Sequence, residues 1–121
     1  MTKILVVDDS INELELISNY LRKGGYTVIV ATDAKEALSK AIEHQPNVIV
    51  TDLVMPGMNG LEMCRNLKKN PATQKMPIVA CTSKSGEIDR LWAMKQGVNV
   101  YVTKPFTEDQ LVNAVRYSLS Q

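Results

Sequence analysis

Five short apolar runs punctuate the chain: Ile4-Leu5-Val6-Val7, Val28-Ile29-Val30-Ala31, Val48-Ile49-Val50-Thr51, Ile78-Val79-Ala80-Cys81 and Val100-Tyr101-Val102. Each is continuous rather than alternating. A strand with one wet face alternates apolar and polar side chains, whereas a strand covered by helices on both faces shows no polar side, so these runs predict a buried parallel sheet. Segments of helical length lie between them. Ser10 with Glu13, Asp33 with Glu36, Asn59 with Glu62 and Thr107 with Gln110 each set a capping side chain three residues before a reciprocal partner, which predicts four capping boxes and four helix starts. Leu14, Ile17 and Leu21 share one face of the first helix, and Leu111, Ala114 and Val115 share one face of the last. Gly24-Gly25 and Pro46 close the first two helices. A further helix from Gly86 to Gln96 starts near Ser85, ends at Gly97 and is expected to turn Leu91 into the core. Strands and helices in strict alternation predict an open, doubly wound α/β domain with a five-stranded parallel sheet.

A chain of 121 residues has room for one such domain, spanning 1–121, and not for a second with its own core. With 45% hydrophobic and 22% charged residues a core is within reach, and disorder is excluded. The net charge of +1 points to neither nucleic acid nor an anionic membrane as partner. No apolar run is long enough for a bilayer, and Met1-Thr2-Lys3-Ile4 leads into a strand rather than a secretory signal, so the cytoplasm is the expected location. Cys64 and Cys81 lack metal-ligand spacing and read as buried free thiols. The one histidine, His44, reads as a solvated side chain, far in sequence from the acids and the lysine at the strand ends.

In an open parallel sheet, ligands bind beyond the carboxyl ends of the strands. The first run is followed by Asp8-Asp9-Ser10, the third by Asp52, the fourth by Thr82-Ser83 and the fifth by Thr103-Lys104-Pro105. Three carboxylates on one edge repel one another unless a cation sits among them, and hard oxygen ligands suit Mg²⁺ better than a transition metal. Asp8 and Asp9 could serve only as helix-start acids, but Ser10 is already present as the cap. Lys104 by itself would read as a solvated lysine. Together with a hydroxyl at Thr82, the group has the parts that hold a transferring phosphoryl.

The sequence resembles the receiver domain of two-component response regulators, the CheY-like fold related to flavodoxin, from Lys3 to Leu119. The resemblance rests on Asp8-Asp9, on Asp52-Leu53-Val54-Met55-Pro56-Gly57-Met58-Asn59-Gly60, on Thr82 and on Lys104-Pro105-Phe106, each at its strand end and in order. It implies the strand order 2-1-3-4-5. It also implies that Asp52 is the phosphoacceptor, that Asp8, Asp9, Asp52 and the Val54 carbonyl hold Mg²⁺, and that Lys104 pairs with the phosphoryl. Thr82 would be the switching hydroxyl, Tyr101 the aromatic that turns with it, and Pro105 the site of a cis bond. Val54 and Lys84, two residues after Asp52 and Thr82, depart from the familiar pattern, so phosphate lifetime does not carry over by analogy.

The expected function is that of a stand-alone response regulator without an enzymatic role beyond its own phosphotransfer and dephosphorylation. Its expected partners are a CheA-like histidine kinase and a downstream output protein, and it is expected to be a monomer or weak dimer. The segment Asp89-Arg90-Leu91-Trp92-Ala93-Met94-Lys95-Gln96-Gly97 resembles regulators of the PilH type, in chemotaxis-like systems that control type IV pilus motility. Glu87, Arg90 and Met94 recur at helical spacing and, with Tyr101, form the expected partner face. Two other readings use similar parts. A magnesium-dependent phosphatase with an aspartyl-phosphate intermediate needs a second acid two residues after its nucleophile, but Ser10, Ile11 and Val54 stand at those places. A flavodoxin-like cofactor binder needs a phosphate loop after the first strand, where Asp8-Asp9 would repel the phosphate.

Overall fold

All five continuous apolar runs become strands. The computed structural model describes residues 1–55 and 59–121. Its elements are β1 (Lys3–Val7), α1 (Ile11–Lys23), β2 (Thr27–Ala31), α2 (Ala34–His44), β3 (Val48–Thr51), α3 (Gly60–Lys69), β4 (Ile78–Thr82), α4 (Glu87–Lys95), β5 (Val100–Thr103) and α5 (Glu108–Leu119). The strands form one parallel sheet in the order β2-β1-β3-β4-β5, as the resemblance implies. Ile4 pairs with both Val28 and Val48, and Val7 with both Ala31 and Thr51, so β1 and β3 end level and deliver their succeeding residues to the same edge.

The absence of alternation has the expected cause. Ile4 and Val6 of β1 pack with Leu14, Ile17 and Leu21 of α1 and with Leu111 and Val115 of α5 on one face. Leu5 and Val7 pack on the other with the alanines of α2 and with Met63 and Leu67 of α3. Successive side chains therefore enter different cores, and both must be apolar. The edge strands β2 and β5 are only half-covered along most of their length. Cys64 and Cys81 are buried free thiols. Met55 and Met63 are buried in the core, while Met58, with Pro56 and Gly57, lies outside the described residues.

Only one of the four expected capping boxes closes. At α5 the Thr107 hydroxyl accepts from the Gln110 N–H and the Gln110 side chain accepts from the Thr107 N–H. Asp33 accepts from the Glu36 N–H, but Glu36 reaches the N–H of Thr32 instead of Asp33. Asn59 accepts from Leu61, not Glu62, and at Ser10 the reciprocal bond is replaced by one to Asp8. At Ser10 the cap N–H is satisfied by a nearer acceptor, the Asp8 carboxylate, before Glu13 can return to it. Gly25 and Gly97 take positive φ just past α1 and α4, where the N–H groups of Tyr26 and Val98 close back on Leu21 and Ala93.

α4 corrects a second expectation. Leu91 does not enter the core: it is 58% exposed, and Ile88 and Trp92 are exposed with it. Ala93 alone of this helix is buried, and a residue two positions away lies about 200° around the helix, so burying Ala93 turns Leu91 outward. The helix starts near Ser85, as expected, with Gly86 as its cap residue, which offers no side-chain cap to Glu87 and beyond. Among the described residues no helix is long and apolar enough to cross a membrane.

Candidate functional site

β1 and β3 lie side by side at the centre of the sheet, and the residues that leave them meet. Asp8 is buried at the end of β1, where its N–H donates to the Ala31 carbonyl at 3.2 Å and its Oδ1 accepts from the Ser10 N–H at 3.0 Å. Asp9 beside it is exposed. Asp52 leaves β3 with its N–H on the Val7 carbonyl at 3.1 Å, and its Oδ1 accepts from the Val54 N–H at 3.1 Å. Carboxylate oxygens of Asp8, Asp9 and Asp52 all lie within 4.8 Å of one another. Val54 stands two residues beyond, its side chain exposed.

Lys104 enters from the far side. It comes directly after β5, its N–H donates to the Thr82 carbonyl at 2.8 Å, and its bond to Pro105 is cis. Its Nζ lies 3.2 Å from Asp52 Oδ2 and 3.3 Å from Asp8 Oδ2. A third carboxylate, Glu13 of α1, stands 3.7 Å away. In sequence Glu13 reads as half of a capping box, and only the diversion of the Ser10 N–H to Asp8 shows that its carboxylate is free to point elsewhere.

These groups pull on one another's protons. Burial pushes the Asp8 carboxyl above its usual value of 3.8, against the Ser10 N–H and Lys104, which favour its ionised form. Burial opposes the charge on Lys104, but Asp52, Asp8 and Glu13 outweigh it, and the ammonium is held above 10.5. A buried acid whose ionised form is strained is a site that gains from a cation. The donors are hard oxygens at short mutual range, which fits a small divalent ion such as Mg²⁺.

Thr82 is fully buried at the end of β4, and its hydroxyl accepts from the Lys84 N–H at 3.2 Å. The Tyr101 hydroxyl donates to the Lys84 carbonyl, so both side chains hold the same residue of the loop between β4 and α4. Tyr101 is buried, with the Arg90 guanidinium 5.2 Å above its ring. Of the expected partner face, therefore, Glu87, Arg90 and Met94 are exposed while Tyr101 is buried under Arg90. A cavity of about 340 Å³ opens between Leu53, Met55, Lys84, Trp92 and Tyr101. His44 is partly exposed beside Glu43, on α2.

Residues 4–116 match the family described as the response regulator receiver domain. Protein PilH of Pseudomonas aeruginosa is 35% identical over 120 residues, which cover 99% of each chain. The chemotaxis protein CheY4 of Vibrio cholerae, solved at high resolution, superposes with a TM-score of 0.93 at 31% identity, covering 98% of this chain and 99% of that one. A response regulator receiver domain protein from Clostridium thermocellum superposes with a TM-score of 0.89 at 32% identity, over 99% of this chain and 95% of its own.

Proposed function

Because the chain belongs to the family of response regulator receiver domains, we propose that Asp52 accepts a phosphoryl group from a histidine kinase and that the resulting charge resets a partner-binding face. The observation that carries this reading is the Lys104 ammonium set between Asp52 and Asp8 at the carboxyl edge of the sheet. An Asp52 carboxylate oxygen attacks the phosphorus of a phosphohistidine. The new O–P bond forms as the P–N bond breaks, and the imidazole leaves with the electron pair of that bond. Lys104 stabilises the charge on the peripheral phosphoryl oxygens, a reading supported by its Nζ lying 3.2 Å from Asp52 Oδ2. Mg²⁺ held by Asp8, Asp9, Asp52 and the Val54 carbonyl would supply further positive charge to those oxygens.

Once Asp52 carries the phosphoryl, its oxygens become acceptors for Thr82. A Thr82 hydroxyl drawn toward them lets go of the Lys84 N–H, and that loop residue also anchors Tyr101. The movement passes to Arg90 above the ring and so to the face of Glu87, Arg90 and Met94. The likeness to PilH and to a chemotaxis protein favours a CheA-like kinase and an output in chemotaxis-like control of type IV pilus motility.

Acetyl phosphate with Mg²⁺ tests the central claim. Intact-mass analysis should show one added phosphoryl group, lost in Asp52→Asn and on addition of EDTA. Uptake by Asp52→Asn at the wild-type rate, or indifference to EDTA, would rule the assignment out.

A further inference from the structure

Glu13 is the third residue of α1, three after the Ser10 cap. In a closed capping box its carboxylate would return to the Ser10 N–H. That N–H is already given to Asp8, at 3.0 Å, and only the bond from the Glu13 N–H to Ser10 Oγ forms, at 3.4 Å. The freed carboxylate reaches Lys104 Nζ at 3.7 Å instead. The ammonium hydrogen-bonds Asp52 and Asp8, which follow β3 and β1, and Glu13 of α1 completes the ring of carboxylates around it as an ion pair. Asp8 and Asp52 belong to the converging set that would hold a cation, and Glu13 does not. It approaches Lys104 from α1, in a groove that it lines with Leu16, Ser83 and Phe106.

We propose that Glu13 is a positioning residue that tethers Lys104 to α1 and withholds part of its charge from the phosphoryl group arriving at Asp52. The inference rests on the reading of Asp52 as phosphoacceptor and adds a residue that sets its speed. The transferring group is stabilised by positive charge on its peripheral oxygens, so an ammonium engaged elsewhere must give up that contact before it contributes fully. Both partners are partly covered, and an ion pair of this exposure and length alters an equilibrium by about two- to fivefold.

The test is a double-mutant cycle on initial rates of labelling by acetyl phosphate and Mg²⁺ at low salt. Glu13→Gln should be labelled about two- to fivefold faster than wild type. In a Lys104→Ala background the same change should have no effect, because the tether has nothing to hold. An unchanged or slower Glu13→Gln, or a gain that persists without Lys104, overturns the proposal; a general disturbance of α1 or simple charge repulsion would act in both backgrounds. If the wild type takes up no phosphoryl at all, the phosphoacceptor reading fails instead. The tether is then judged by nitrogen-15 NMR of the Lys104 ammonium in metal-free protein. Its protons should exchange with water about twofold faster or more in Glu13→Gln, and unchanged exchange overturns the tether.

Discussion

Cys64 and Cys81 sit in the two cores, one on each face of the sheet. Burial pushes both thiols from 9.0 up to about 12. In the unfolded chain each loses its proton near 9.0, while the folded protein keeps it until about 12. Across that interval the unfolded state binds fewer protons, so stability is full below the unfolded value and falls as pH rises, by at most about 1.4 kcal/mol per pH unit for each thiol. Lys68, whose ammonium burial pushes below 10.5, works in the opposite direction over the lower part of the range. Urea unfolding between pH 9 and 12 should therefore show a falling free energy in the wild type and a clearly shallower fall in Cys64→Ala/Cys81→Ala. Equal slopes would mean that other groups carry the effect. That these cysteines are buried free thiols is legible from a spacing that suits no metal site. The role of Glu13 is not, because its outcome depends on which acceptor captures the Ser10 N–H in three dimensions.

Gly60, the first residue of α3, shows how an element positions the chemistry. A Cβ built there would lie 2.5 Å from both Cα and the carbonyl oxygen of Leu53, the residue after Asp52, and the Gly60 N–H donates to that carbonyl at 3.0 Å. No side chain fits, since the contact is with backbone that cannot swing away. Gly60→Ala should cost about 1–3 kcal/mol in urea unfolding by forcing α3 off this segment. It should also slow labelling of Asp52 by acetyl phosphate. A variant as stable and as fast as wild type would show that the approach relaxes without consequence. The strands and the order of elements were readable because each depends on local pattern. The caps were readable only by half: Asp33 and Asn59 do cap their helices, but the reciprocal partners depend on how the preceding loop arrives.

At the scale of the whole molecule, α4 is the element least committed to the core, with Ala93 as its one buried residue. Its exposed side carries Ile88, Leu91 and Trp92 beside Glu87, Arg90 and Met94. Arg90 links this surface to Tyr101 below, and Tyr101 to the loop that also holds Thr82. The proposed consequence is that Arg90→Glu and Met94→Ala weaken the affinity of the beryllofluoride-loaded protein for its output partner, each by about thirtyfold, the loss that marks an interface hot spot. Labelling of Asp52 should be unaffected in both. If titration shows unchanged affinity for both variants while a change on α1 or α2 abolishes binding, the output surface lies on another face.

What the amino-acid sequence determined by itself is whatever short-range physics imposes. Continuous apolar runs require a sheet covered on both sides, and acids or a lysine placed just past such runs must gather at its carboxyl edge, since parallel strands in register all end there. Tertiary structure decided the rest, through competition for partners. Leu91 faces water because Ala93 takes the single inward position of α4. Tyr101 lies under Arg90 and not on the surface beside it. Glu13 serves Lys104 because Asp8, buried at a strand end, has already taken the N–H that Glu13 would have capped. A residue's spacing fixes which neighbours it could meet, and only the folded chain settles which of them is nearer.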